Sequence, residues 1–149
     1  LKLIKCDAFN INKWSRWIKN KNRLSNEKSF LITLWFVIHE ISNNDTQKII
    51  NFFNKIYKKF PNATIFVGEL VKPKTSIMVK NRYASIMPEY MLFHDLSGQG
   101  VLNYFQLKYI LKNIPYKLVD KNNFDMIKHK STSEPSAITW LLKPKKKLL

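Results

Sequence analysis

The pair His39-Glu40 stands directly after a long apolar run, Phe30 to Ile38. A histidine at the carboxyl end of a strand, facing a crevice, can take a proton from a substrate hydroxyl or amine, because its ring changes protonation near neutral pH. The other reading of the same place is a histidine hydrogen-bonded at a helix start. Glu69 ends a second apolar run, Phe66-Val67-Gly68-Glu69-Leu70. A carboxylate there is costly to bury unless it is paired or faces a wet cleft. It therefore orients His39, holds a ligand, or stands at an exposed strand end. Asp7, in Lys5-Cys6-Asp7-Ala8-Phe9, follows a short strand and can accept a hydrogen bond from an amino group. A fourth cluster, His94-Asp95-Leu96-Ser97-Gly98-Gln99-Gly100, puts two candidate pocket residues, His94 and Asp95, ahead of a turn. Its glycines permit positive φ, and it lacks the Gly-Lys-Ser/Thr end of a phosphate loop. A purely structural turn is the alternative.

These residues need a scaffold, and the hydropathy pattern predicts one. Leu1 to Cys6 reads as a strand, and Asn10 to Lys21 as a helix with Ile11, Trp14, Trp17 and Ile18 at helical spacing. Lys28 to His39 reads as a strand buried on both faces. Asn44-Asp45 starts a helix that carries Ile49, Ile50, Phe53, Ile56, Tyr57 and Phe60 and stops at Pro61-Asn62. Ala63 to Val71 is a second buried strand. Pro73 to Pro88 reads as loop with a short helix, Tyr90 to His94 is apolar, and Tyr104 to Lys112 is a short amphipathic helix. Tyr116 to Val119 and Ala137 to Leu142 are late strands. About 17 residues separate them, too many for a tight hairpin but compatible with pairing. Alternating strands and helices predict an α/β layer with a mostly parallel sheet and an antiparallel last strand. In open sheets of this kind ligands bind beyond the carboxyl ends of the strands, where Asp7, His39 and Glu69 fall.

Composition bounds the function. The 149 residues, 45% hydrophobic and 13% aromatic, suffice for one domain with a core. The chain opens on Leu1 inside what reads as a strand, as a fragment would. Cys6 is the only cysteine, so an internal disulfide or a cysteine-based metal centre is excluded and a reducing compartment fits. No secretory signal is visible, and no apolar run approaches the about 20 residues that span a bilayer. A cytoplasmic protein is the expectation. The net charge of +16, from 26 Lys and Arg against 10 Asp and Glu, attracts nucleic acid or anionic membranes. The lysines are nevertheless spread among many Asn and Ile, as in chains from AT-rich genomes. No known RNA- or DNA-reading motif accompanies them. The tail Lys143 to Lys147 reads as a solvated end.

The ordered set of motifs resembles one family. Lys5-Cys6-Asp7-Ala8-Phe9 is similar to the Gly-Asp-x-Phe segment of class I, S-adenosylmethionine-dependent small-molecule O-methyltransferases. Phe36-Val37-Ile38-His39-Glu40-Ile41-Ser42 with Asp45 resembles their Leu-His-Asp-Trp-x-Asp segment. Ile65 to Val71 with Pro73 resembles their Ile-x-Glu-x-x-x-Pro strand, and Gly98-Gln99-Gly100 their Gly-Gly turn before the last helix. The chain differs in having His-Glu for His-Asp, Ile41 for Trp, and Gly100 where plant members carry a second catalytic Glu. The resemblance implies the C-terminal half of a Rossmann-like methyltransferase domain, with the glycine-rich cofactor loop upstream of Leu1. It implies S-adenosylmethionine as cofactor, bordered by Asp7, Ala8 and Phe9. His39 would be the base and Glu69 its orienting partner. Tyr90, Met91 and His94 would face a small-molecule acceptor methylated on O, or on N or C. A homodimer would form through an N-terminal region, and residues 1–149 alone would be inactive. The rival expectation is a basic nucleic-acid-binding protein or RNA methyltransferase.

Overall fold

The fold is seen in a computed structural model, which describes residues 7, 9–20, 30–42, 45–74, 76, 87–124 and 137–145. The expected first strand, Leu1 to Cys6, lies outside them, as does nearly all of the segment between Pro73 and Pro88. The elements run α1 (Ile11–Asn20), β1 (Phe30–Trp35), α2 (Ile38–Ser42), α3 (Thr46–Lys59), β2 (Ala63–Leu70), α4 (Met87–Leu96), α5 (Tyr104–Asn113), β3 (Tyr116–Phe124) and β4 (Ala137–Pro144). No helix among the described residues is long and apolar enough to cross a membrane.

The four strands form one sheet in the order β1-β2-β4-β3. β1 and β2 are parallel, with Phe30 opposite Ala63 and Trp35 opposite Gly68. β4 is antiparallel to both of its neighbours, β2 and β3. The sheet is therefore mixed: β1, β2 and β3 run in one direction and the last strand runs antiparallel to its neighbours, as expected of it. The last strand does not add to an edge; it inserts between its two predecessors, so only one of three ladders is parallel. The late strands pair despite the long connection between them, with a bulge between Leu118 and Asp120.

One face of the sheet carries the core. On it lie Ile65, Val67, Ile138, Trp140 and Leu142, all buried, and against them pack Ile11 of α1, Ile49, Phe53 and Ile56 of α3, and Leu107 and Ile110 of α5. α3 forms where expected because its apolar residues recur every three to four positions and its ends are marked. The Asp45 side chain accepts from the Gln47 N–H at 2.9 Å, and the helix closes with the Phe60 N–H on the Ile56 carbonyl. Pro61 follows, and Phe60 stacks on Trp14 of α1 at 5.1 Å. α5 begins on a reciprocal capping box between Asn103 and Gln106.

β1 corrects the sequence reading twice. It is not buried on both faces: Leu34 is buried while Leu31, Thr33 and Trp35 are exposed, because no described element covers that side. It also ends at Trp35, four residues short of His39. Phe36 adopts φ 50°, a conformation that non-glycine residues rarely take, and its N–H still reaches the Gly68 carbonyl at 2.9 Å. The chain turns out of the sheet there and starts α2, which carries His39.

Candidate functional site

A parallel strand pair requires a crossover, so both strands deliver their carboxyl ends to the same edge of the sheet. With Trp35 opposite Gly68, the residues that follow each of them become neighbours. His39 and Glu69 thereby meet across 30 positions of sequence. The His39 Nδ1 lies 2.8 Å from Glu69 Oε1, with both residues almost wholly buried. Glu69 Oε2 accepts from the N–H groups of Ile38 at 2.9 Å and His39 at 3.3 Å, and Oε1 accepts in addition from the N–H of Leu70 at 2.9 Å. One carboxylate thus caps the first N–H groups of α2 and fixes the imidazole that α2 carries. Facing a carboxylate, Nδ1 is the protonated nitrogen and donates, so the lone pair of the neutral ring sits on Nε2. Of the two placements open for His39, the geometry shows the helix start: it is the second residue of α2, hydrogen-bonded there to Glu69. For Glu69 the geometry overturns the exposed strand end: the carboxylate is buried and bonded to the His39 ring.

Gly68 permits this arrangement. A Cβ at that position would run into the indole ring of Trp35, which lies across the glycine. Nothing in an apolar strand advertises that contact except the glycine itself, since glycine inside a strand often marks close approach of another group.

α4 was not expected as a helix through Met87–Leu96, and it supplies the third side of the site. Its His94 is buried, with its ring centroid 5.1 Å from that of His39. The Tyr90 ring lies 3.8 Å from that of His94 at a 34° tilt and 6.5 Å from that of His39. His94 Nδ1 is 2.8 Å from the Tyr90 carbonyl; a carbonyl only accepts, so Nδ1 carries the proton and Nε2 the lone pair. Burial, then the charges of Glu69 and Glu40, push the Tyr90 hydroxyl pKa up, so it holds its proton across the neutral range. The result is a phenol donor beside two imidazoles. Met91 points away into a small cluster with Leu70 and Val101. Asp95 stands outside the site, exposed and paired to Lys72 at 3.1 Å. Gly98 takes φ 74° and ends α4, as its turn-forming sequence requires.

Asp7 and Phe9 lie at the start of α1; Ala8 is outside the described residues. Asp7 Oδ1 accepts from the Phe9 N–H at 2.9 Å. Both residues border a hollow of about 430 Å³ against α3. A second hollow of about 330 Å³ on the other side of Phe9 is lined by Glu40 and Ile41, neighbours of His39 on α2. Phe9 thus shares a hollow with α2, whereas Asp7 borders only the first hollow, against α3. Among the described residues no cluster of three or more His, Cys, Asp or Glu is arranged to hold a metal ion. No protein-family model matches the chain, and none of the curated proteins matches it at a significant level.

Proposed function

We propose that this chain provides the acceptor-activating part of a Rossmann-like, S-adenosylmethionine-dependent methyltransferase acting on a small molecule. The observation that carries the reading is the buried His39–Glu69 pair at the carboxyl ends of two adjacent parallel strands. His39 Nε2 takes the proton of the accepting hydroxyl, and Glu69 holds the ring in the tautomer that makes Nε2 basic and steadies the imidazolium that forms. The Tyr90 hydroxyl and His94 Nε2 offer one donor and one acceptor to orient the acceptor molecule. Further support comes from the strand order, in which a closing antiparallel strand lies beside the parallel pair.

The hollow at Asp7 and Phe9 fits an adenine. Its volume is in the range of small-molecule sites, about 300–1,000 Å³. Asp7 Oδ2 remains to accept from an exocyclic amine, and Phe9, 39% exposed, presents a ring face or edge to a heterocycle. When bound, the cofactor supplies an electrophilic methyl on a sulfonium. The chain's own residues align the accepting atom for in-line attack and remove its proton, and alignment of this sort accounts for much of such a rate enhancement.

His39→Ala in the full-length protein is expected to lower methyl transfer to a phenolic acceptor by about 10²-fold or more, the usual contribution of a positioned base. Cofactor affinity, measured by calorimetry, should stay within about threefold. Turnover unchanged by the substitution would eliminate His39 as the base.

A further inference from the structure

The lysines of α3 are not evenly scattered. The helix Thr46–Lys59 contains four lysines and no acidic residue. Lys48, Lys55 and Lys59 are spaced seven and four apart, which puts them within about 40° of one another on the helix surface. They form a stripe about 16 Å long at 1.5 Å per residue. Lys58 flanks the stripe, and none of the four is ion-paired among the described residues. The two hollows lie along this stripe and share Lys55 and Phe9. Phe9 packs edge-on against Phe52, at 6.0 Å, and remains 39% exposed. Two carboxylates, Asp7 and Glu40, also reach the hollows; the four lysines outnumber them, and the chain as a whole is at +16.

A row of cations beside an exposed aromatic ring and two adjoining hollows matches the design of single-strand nucleic-acid sites. Such sites combine a positive track for phosphates with a ring on which bases stack. We propose that the groove along α3 binds single-stranded RNA, with Lys48, Lys55 and Lys59 on the phosphates and Phe9 against a base. This needs neither His39 nor Glu69, but it places a base in the hollow that the methyl-transfer reading gives to adenine, so RNA and cofactor would compete for Phe9. The hollow that continues to Glu40 and Ile41 runs beside the helix carrying His39, so a strand in the groove would pass next to that site.

The test is fluorescence anisotropy of the full-length protein with a labelled oligoadenylate RNA across a potassium chloride series. A triple variant, Lys48→Gln, Lys55→Gln and Lys59→Gln, is compared with a control of equal charge loss on the sheet, Lys117→Gln, Lys121→Gln and Lys143→Gln. Circular dichroism and urea midpoints confirm that both remain folded. The α3 variant is expected to bind at least tenfold more weakly near 0.1 M salt. Its log–log salt slope should shrink by about 2, at about 0.7 for each phosphate that a lysine no longer neutralises. The control should lose less than about threefold. Equal losses in the two variants would mean diffuse attraction by net charge and would overturn the groove. Phe9→Leu should weaken RNA by about fivefold or more, the size of one base–aromatic stack, and leave heparin binding unchanged. RNA affinity indifferent to Phe9→Leu would leave a bare polyanion site and overturn the nucleic-acid assignment.

Discussion

Replacing Glu69 by Gln removes one charge and turns one acceptor oxygen into a donor, with almost no change of shape. The carboxylate accepts four hydrogen bonds: from the N–H groups of Ile38, His39 and Leu70, and from His39 Nδ1. An amide cannot accept all four. If its oxygen keeps the N–H groups of Ile38 and His39, its NH2 faces the Leu70 N–H. Nδ1 can then be satisfied only by accepting, which moves the ring proton to Nε2. If the amide turns over, the tautomer survives but two N–H groups at the start of α2 confront a donor. Either way at least one buried N–H is orphaned, at about 1–3 kcal/mol, and the surviving bonds lose their charge assistance, at about 1 kcal/mol each. We expect a net loss of about 3 kcal/mol. With m of about 1–3 kcal/mol/M, the urea midpoint should fall by about 1–3 M. Nitrogen-15 NMR of the imidazoles distinguishes the two outcomes: the wild type should show His39 protonated on Nδ1, and the first amide orientation should show it on Nε2. A Glu69→Gln protein whose urea midpoint lies within about 0.3 M of wild type, with its tautomer unchanged, would refute the claim that this carboxylate organises α2. On the proposed reading, methyl transfer should fall whichever orientation wins, through loss of the Nε2 lone pair or through displacement of the helix that carries the ring.

Gly68→Ala should cost about 1–3 kcal/mol, because the new methyl must displace the Trp35 ring. In a Trp35→Ala background the same change should be nearly neutral, and an additive double-mutant cycle would show that the ring is not the obstacle. Tyr116→Phe should raise stability by about 1 kcal/mol, since its buried hydroxyl has no hydrogen-bond partner among the described residues. A loss of comparable size would reveal a bonded hydroxyl. Burial raises the pKa of both Tyr116 and Tyr90 above the ordinary value near 10. The unfolded chain releases these protons first, so the stability they contribute is complete below about pH 10 and is lost as pH rises above it. Tyrosinate absorbance should show one of the six tyrosines, Tyr116, silent until the alkaline unfolding transition, and Tyr90 titrating above the exposed ones. Simultaneous titration of all six in the folded protein would contradict these shifts.

The helices α1, α3 and α5 were legible because their signals are local. Ile11 and Trp14 stand at helical spacing, and Asp45 and Pro61 bracket α3 within one or two residues of its ends. Strand positions were legible from apolar runs, but not all their ends: β1 stops at Trp35 rather than His39, and β3 runs on to Phe124 rather than Val119. What escaped was non-local. The run from Phe30 to Ile38 is continuous, and nothing in it marks that Phe36 leaves the sheet, because that turn is held by the Gly68 carbonyl on another strand. The exposure of Leu31 and Trp35 likewise depends on which elements cover a face, a property no window of sequence contains. α4 escaped for a different reason. It is apolar around its circumference, with Leu92, Phe93 and Leu96 exposed, so it lacks the one-sided stripe by which a surface helix is recognised.

The candidate site shows how far strand-end logic carries. Residues at the carboxyl ends of adjacent parallel strands converge, so once β1 and β2 pair, His39 and Glu69 belong at the same sheet edge. Which atom meets which does not follow from that rule. It depends on α2 starting at Ile38, so that the Glu69 carboxylate meets the first N–H groups of the helix and the ring in one place. The early end of β1 is therefore not incidental to the site. Had the strand continued to His39, side-chain alternation would have set successive residues on opposite faces of the sheet. The backbone N–H groups of Ile38 and His39 would then lie in a ladder rather than point at a carboxylate. The positive φ of Phe36 costs on the order of 1 kcal/mol. That strain is offset by the capping bonds it makes available, and it converts a strand end into a rigid mount for one imidazole.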